Sequence, residues 1–213
     1  MRATVENSHP EIQIRLLSKE DSIEVAKIHR KVFDDTPSAR LGYEYCRQLY
    51  ALYATEANAF GHVLLQDGEA VGFVVGGDTN THDAISSKLR RQAALSSVVR
   101  PELLFSLAGK VVKRTLRKRP PSSTPTTAPK RDGGGRRVSK LFLIGILEKA
   151  RGTGGARQLL DSFVDHAFSL GFDSVVLNVL RTNSRARKAY EKAGWVLNDR
   201  GGESVEYYIL KSE

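Results

Sequence analysis

A glycine-rich turn between an apolar segment and an amphipathic helix is the clearest candidate site in the sequence. The turn, Arg151-Gly-Thr-Gly-Gly155, follows an apolar segment that ends at Leu147. Glycines let a backbone approach a ligand closely, and the positive end of the helix that follows favours an anion. We therefore expect a phosphorylated cofactor to bind at this turn.

The spacing within the turn excludes two common nucleotide motifs. The dinucleotide pattern G-x-G-x-x-G does not fit, and no G-K-[ST] closes the turn as in a P-loop. The pattern [QR]-x-x-G-x-[GA] does fit, through Arg151, Gly154 and Ala156. It resembles the acetyl-CoA signature of the GNAT superfamily of N-acetyltransferases.

A second motif about thirty residues later carries the same resemblance. Asn183, Ala186, Tyr190, Gly194 and Trp195 match N-x-x-A-x-x-x-Y-x-x-x-G-[FW], which is similar to the late helix of that family. The resemblance covers roughly residues 11–79 and 138–211. It implies an α/β (α+β) fold whose mixed, mainly antiparallel sheet has splayed central strands flanked by helices, with acetyl-CoA as the cofactor.

The resemblance also assigns the cofactor contacts. The backbone of Ile144, Gly145, Ile146 and Leu147 would pair with the pantetheine arm, and the N–H of Ile146 or Leu147 would polarise the acetyl carbonyl. The pyrophosphate would be held by the turn, with Arg157 a candidate neighbour; the turn residues concerned are Arg151, Gly152, Thr153, Gly154, Gly155 and Ala156.

Tyr190 is the candidate general acid, because a phenol with a pKa of about 10 can return a proton to a thiolate of similar basicity. Asn183 would hydrogen-bond the cofactor arm, although helix capping explains this residue equally well. No general base is evident. The candidates are Glu148, Asn178, which can only hold substrate or water, and His62, which is more often a plain strand histidine. Many family members use ordered water, so a missing base does not exclude activity.

Composition limits the class of protein. A chain of 213 residues, 40% hydrophobic, can bury one substantial core. Its single cysteine, Cys46, excludes an internal disulfide and a multi-cysteine zinc site, and we expect no metal. Neither a signal peptide nor eighteen consecutive apolar residues is present, so we expect a cytoplasmic protein.

The alternation of apolar segments predicts one domain interrupted by an insertion. The expected order is strand, two helices, a β-hairpin, the insertion, then strand, helix, strand, helix and two final strands. We expect a flexible N-terminus over residues 1–10, the domain over 11–79 and 138–213, and a basic helical insertion over 80–137. Its helices are predicted at 84–99 and 101–119, followed by a disordered linker at about 120–137.

The basic charge is concentrated in this insertion. Residues 88–137 contain fourteen Lys and Arg against two acidic residues, an excess of +12, which leaves −3 for the rest of a chain of net charge +9. One hypothesis is that the insertion contacts an anionic membrane surface or a phosphate-bearing substrate; the other is that its cations are simply solvated. Because no aromatics interleave the cations, we expect no specific nucleic acid partner.

These observations predict an N-acetyltransferase that moves an acetyl group from acetyl-CoA to a primary amine, such as a small molecule or an amino sugar. Two alternatives stay open at this point. One is a GNAT-like binding or sensor module, and the other is an acetyltransferase for protein N-termini or lysines.

Overall fold

The computed structural model describes residues 10–34, 37–98, 136–198 and 205–211. Seven strands and six α-helices form in this part of the chain, together with a short 3₁₀ turn at Glu148–Ala150. In chain order they are β1 (Ile12–Leu16), α1 (Ser22–Val32), α2 (Pro37–Arg40), α3 (Tyr43–Thr55), β2 (Ala59–Gln66), β3 (Glu69–Asp78), α4 (Thr81–Val98), β4 (Val138–Ile146), α5 (Gly155–Ser169), β5 (Ser174–Leu180), α6 (Ser184–Lys192), β6 (Val196–Asn198) and β7 (Val205–Lys211).

The strands form a single sheet in the order β1-β2-β3-β4-β5-β7-β6. Every neighbouring pair is antiparallel except β4 and β5, which run parallel. This confirms the predicted mixed, mainly antiparallel sheet. The hairpin between β2 and β3 turns at Asp67 and Gly68, whose φ angles of 52° and 79° are those of a type I′ turn.

Helices cover the two faces of the sheet and divide the core into two clusters. On one face α5 buries Leu159, Phe163 and Val164 against the sheet, together with Tyr190 and Trp195 from the end of the chain. On the other face α1 and α3 bury Val25, Tyr50 and Tyr53 against Val63 and Phe73. Of the predicted cofactor contacts, Ile144, Gly145 and Ile146 therefore lie in a sheet that has helices packed on both faces.

The structure describes both ends of the inserted segment, residues 80–98 and 136–137. Its first predicted helix is α4, which starts three residues earlier than expected because Asp78 accepts a hydrogen bond from the Asn80 N–H and Thr81 donates to the Asn58 carbonyl. The second predicted basic helix, 101–119, and residues 120–135 of the predicted linker lie outside the described residues. Of the linker's last two residues, which are described, Arg137 donates from its guanidinium to the Leu170 carbonyl. Across the residues that are described, no helix has the length and apolar character needed to cross a bilayer.

Candidate active site

The central strands β4 and β5 pair along only part of their length. Their parallel ladder runs from Val138 opposite Ser174 to Leu141 opposite Leu177 and then stops, although both strands continue. A β-bulge at Phe142 marks the point of separation, because Leu141 lies opposite Gly76 while Leu143 lies opposite Val75. The splayed central strands are therefore confirmed as a V-shaped split, bordered by the second half of β4 and the end of β5.

Backbone groups of β4 face this split. In an antiparallel ladder alternate residues bond to the partner strand, and Leu147 donates its N–H to the Val71 carbonyl over 2.8 Å. Counting back along the ladder, Gly145 also bonds to β3, whereas Ile144 and Ile146 turn their N–H and C=O groups toward the split. Of the two amides proposed to polarise the acetyl carbonyl, that of Ile146 therefore fits and that of Leu147 does not.

Gly145 has a packing role that the sequence does not reveal. A Cβ at this position would lie 2.8 Å from Phe33 Cε2 and 3.0 Å from Phe73 Cε1. The glycine therefore lets α1 pack closely on β4. Close approach of a ligand is therefore not needed to explain a glycine at this position.

The glycine-rich turn has the backbone geometry of an anion site. Gly152 and Gly154 have φ angles of 85° and 84°, in the left-handed region that favours glycine. Gly154 caps α5 without any side-chain hydrogen bond, while Thr153 Oγ1 donates to the Ala150 carbonyl and only weakly accepts from the Gly155 N–H, at 3.4 Å.

These conformations leave a row of unused donors. Within the described chain, no acceptor takes a hydrogen bond from the N–H groups of Gly152, Thr153, Gly154 or Ala156. They stand at the positive end of a fifteen-residue helix. Donors without acceptors at a helix start fit a pyrophosphate, so these residues suit the predicted cofactor.

The two arginines near the turn differ in their contacts. Arg151 makes only a loose ion pair, with 3.6 Å between its Nη1 and Glu148 Oε1, so its guanidinium can contact a phosphate. Arg157 is already engaged, because its Nε donates to Asp161 and its Nη1 donates to the Lys192 carbonyl at the end of α6. Arg157 therefore ties α5 to α6, and its guanidinium is less available to a pyrophosphate than that of Arg151.

Tyr190 lies on α6, on the same face of the sheet as α5. Its ring is 6.0 Å from that of Trp195 and 6.1 Å from that of Tyr208, and the residue is 9% exposed. Burial raises the pKa of Tyr190 to about 12, so the phenol holds its proton at neutral pH. Asn183 accepts a hydrogen bond from the Ala186 N–H over 3.1 Å and so caps α6. The contacts of Asn183 therefore show that it is a helix cap.

The candidate bases occupy three different environments. Glu148 has 91% of its side chain exposed, at the edge of the split. Asn178 is exposed on β5, one residue beyond the last pair with β4. His62 lies on β2, two strands from β4, with its ring 5.2 Å from that of His166. Burial, with a smaller effect from His166, lowers the pKa of His62 to about 4. Only Glu148 and Asn178 border the split.

The bulge residue Phe142 belongs to the site but has no signature in the sequence. Its ring stacks on His82 at 4.5 Å, and Lys140 Nζ lies 4.9 Å above it. His82 in turn is 2.8 Å from the Tyr53 hydroxyl, measured from Nδ1. α4 therefore borders the split on the face opposite α5. Among the described residues, no three His, Cys, Asp or Glu side chains group as a metal site.

The site geometry agrees with comparisons to known proteins. A family model described as Acetyltransferase (GNAT) family matches residues 114–195, which include β4, the glycine-rich turn, α5, β5 and α6. The chain carries a GNAT acetyltransferase domain. This confirms the predicted family and the enzyme class, an acyltransferase. Comparison with the curated proteins finds no match.

Solved structures share the GNAT fold over nearly the whole chain. Arabidopsis thaliana NAA60 in complex with acetyl-CoA has a TM-score of 0.58 at 13% identity, covering 94% of this chain and 98% of that one. The aminoglycoside N-acetyltransferase AAC(6')-Iy in complex with CoA has 0.60 at 12% identity, with 93% and 96% covered. The ribosomal-protein-alanine N-acetyltransferase of Brucella melitensis has 0.53 at 19% identity, with 90% and 96% covered.

Proposed function

We propose that this protein is an acetyl-CoA-dependent N-acetyltransferase that acetylates the primary amine of a small molecule, such as an amino sugar. The observation that carries the proposal is the continuity between the split and the glycine-rich turn. Unpaired amides of Ile144 and Ile146 lead along β4 toward the donor row at Gly152, Gly154 and Ala156. An extended arm that ends in a pyrophosphate matches this arrangement.

Each residue then has a defined task. When bound, acetyl-CoA supplies an acetyl thioester. The turn residues and Arg151 hold the phosphates, and the Ile146 N–H donates to the carbonyl oxygen as negative charge develops on it. Tyr190, which is protonated at neutral pH, donates its phenol proton to the leaving sulfur. Water beside Glu148 or Asn178 takes the proton of the attacking amine.

The acceptor amine has to approach from the face opposite α5 and α6. On that face α4 packs against α3 and β3 and places His82 against Phe142. A helix beside the split narrows the approach, which favours a small acceptor over a protein chain. The chain has a single cysteine, Cys46, and therefore no internal disulfide, which fits the reducing conditions of the cytoplasm.

The proposal is tested by thiol release from acetyl-CoA with a panel of amines. The panel contains amino sugars, a phosphate-bearing amino sugar, small aliphatic amines, and peptides with a free N-terminus or lysine. We expect turnover with a small amine, and a Tyr190→Phe variant whose kcat is lower by about 10²-fold or more at an unchanged acetyl-CoA affinity.

The matched control is Tyr45→Phe, which removes a hydroxyl from α3 on the other face of the sheet and should leave kcat unchanged. Turnover of peptides alone would contradict the small-molecule acceptor. Unchanged kcat in Tyr190→Phe would remove Tyr190 from the mechanism, and tight acetyl-CoA binding without turnover of any amine would favour a binding or sensor module.

A further inference from the structure

A partly buried polar cluster between α6 and β7 is left unused by the reaction proposed above. Its members are Arg187 and Glu191 on α6, and Glu206 and Tyr208 on β7. Glu206 is 9% exposed and Tyr208 is fully buried. Burying the Glu206 carboxylate and the Tyr208 hydroxyl is costly unless each finds a partner. Their partners, the half-buried Arg187 and the exposed Glu191, both belong to α6, so these contacts help to hold α6 on the sheet.

The distances show which groups of the cluster are paired with each other. The Tyr208 hydroxyl donates to Glu191 Oε1 over 2.7 Å and lies 3.3 Å from Glu206 Oε2. A hydroxyl has one proton, so the shorter contact takes it. Arg187 Nε lies 2.6 Å from Glu206 Oε2 but out of hydrogen-bond alignment, which makes the contact an ion pair. Burial, followed by the hydrogen bond to Glu191, raises the pKa of Tyr208, so Tyr208 remains a donor.

These contacts surround the candidate general acid. Arg187 and Glu191 lie three residues before and one residue after Tyr190 on the same helix. The Tyr208 ring also touches the Tyr190 ring, with 6.1 Å between centroids. Tyr190 is the buried residue of the nine-residue α6, and Ala186 packs beside it as a partly buried residue. The packing of this helix on the sheet therefore rests mainly on the Tyr190 ring and the polar contacts next to it.

The register of β7 places the cluster at the point where the central strands separate. Tyr208 lies opposite Leu177 on β5, and Leu177 is the last β5 residue that pairs with β4. Tyr208 therefore connects Tyr190 to the sheet at the level of the split.

We propose that Tyr208, held by Glu191 and by the Arg187–Glu206 pair, is a positioning residue that sets the Tyr190 hydroxyl relative to the split. The inference rests on the proposed role of Tyr190. A displacement of the order of 1 Å in a reacting group can reduce turnover by about 10²-fold, so one hydrogen bond between helix and strand is enough to affect the rate.

The test is a double-mutant cycle between Tyr190→Phe and Tyr208→Phe, measured with the best acceptor of the amine panel. Tyr208→Phe keeps the ring and removes the hydroxyl. We expect kcat to fall about 10-fold, with the acetyl-CoA Kd changed by less than about twofold. In the Tyr190→Phe background the same substitution should have no further effect on kcat, because its influence passes through Tyr190.

Two substitutions of Glu191 test the hydrogen bond from its other side. Glu191→Gln keeps an oxygen that accepts from Tyr208 and should retain near-normal kcat, whereas Glu191→Leu should resemble Tyr208→Phe. Trp195 is the only tryptophan in the chain and lies beside Tyr190, so its emission shows whether α6 remains packed in each variant. If Tyr208→Phe disturbs that emission, the two Glu191 variants carry the comparison.

The kcat values of these variants separate the role of Tyr208 from the role of Tyr190. Wild-type kcat in Tyr208→Phe, or a loss that simply adds to that of Tyr190→Phe, would overturn the positioning role while leaving the function intact. Wild-type kcat in Tyr190→Phe would instead overturn the assignment of Tyr190 itself. Equal losses in Glu191→Gln and Glu191→Leu would show that the charge of Glu191, and not its hydrogen bond, matters.

Discussion

Replacing Gly154 with alanine tests the anion site at the start of α5. Gly154 has a φ of 84°, and the nearest atom to an added Cβ would be Gln158 Nε2 at 3.9 Å, an ordinary contact. The substitution therefore causes no clash, and its cost is the left-handed backbone of an L-residue, about 1–2 kcal/mol. The variant relieves this strain by moving the turn away from the conformation that aims its N–H groups outward.

The expected result is a loss of acetyl-CoA affinity of about 5- to 30-fold, the equivalent of 1–2 kcal/mol. Calorimetric titration measures the Kd, and denaturant unfolding measures the stability. The matched control is Gly171→Ala at the opposite end of the same helix, where φ is 79° and an added Cβ would lie 3.2 Å from Arg137 Nη1. Because that guanidinium donates to the Leu170 carbonyl, it would have to shift, so this control should lose at least as much stability as Gly154→Ala while it keeps its affinity.

Two results would contradict a phosphate site at the start of α5. If Gly154→Ala binds acetyl-CoA like the wild type while losing the same stability as Gly171→Ala, the turn does not hold the phosphates. If both variants lose affinity equally, the effect comes from general weakening of α5 and not from the donors at its start.

Three further predictions follow from individual residues. Arg151→Glu should raise the acetyl-CoA Kd by about 10-fold or more, because it replaces a phosphate contact with repulsion; an unchanged calorimetric Kd would exclude Arg151 from the site. Gly145→Ala should lower the free energy of unfolding by about 1–3 kcal/mol, because its Cβ would lie 2.8 Å from Phe33 Cε2; wild-type stability in urea would disprove this packing role. Burial lowers the pKa of His62 from 6.5 to about 4, so the unfolded chain takes up a proton before the folded one, and stability is lost as pH falls from 6.5 toward 4. His62→Gln should therefore reduce the loss of unfolding free energy between pH 8 and pH 5 by about 2 kcal/mol, whereas Val63→Ala, the buried neighbour without a titrating group, should keep the wild-type pH dependence.

Local features of the fold could be predicted from the sequence because neighbouring residues determine them. The apolar run Ser174–Leu180 forms β5, in the predicted place between two helices, and Asn183 caps α6 through its own side chain. The strand after α6 begins only at Val196, because Trp195 packs into the core and donates its N–H to the Tyr190 carbonyl. The short helix α2 was not predicted, since its four residues have no periodic pattern.

The split itself could be expected only through the family resemblance. Pairing between β4 and β5 ends at Leu141 because Phe142 bulges from its ladder with β3, and this depends on which strand lies opposite. The same is true of the Leu147 amide, which is occupied by a carbonyl of β3. The contacts of Tyr208 with α6 join residues 17 positions apart, and no sequence pattern indicates them. The side chains of the site could therefore be predicted from the sequence. Which backbone N–H groups are left unpaired to bind a ligand could not.

The most direct test of the cofactor site is an amide NMR titration of the ¹⁵N-labelled protein with acetyl-CoA. We expect saturable shifts at Gly152, Gly154 and Ala156 in the turn and at Ile144 and Ile146 along β4, with Gly171 at the far end of α5 unchanged. Saturation without shifts in the turn and along β4, or no binding at high micromolar acetyl-CoA, would show that the split and the glycine-rich turn do not hold the cofactor together.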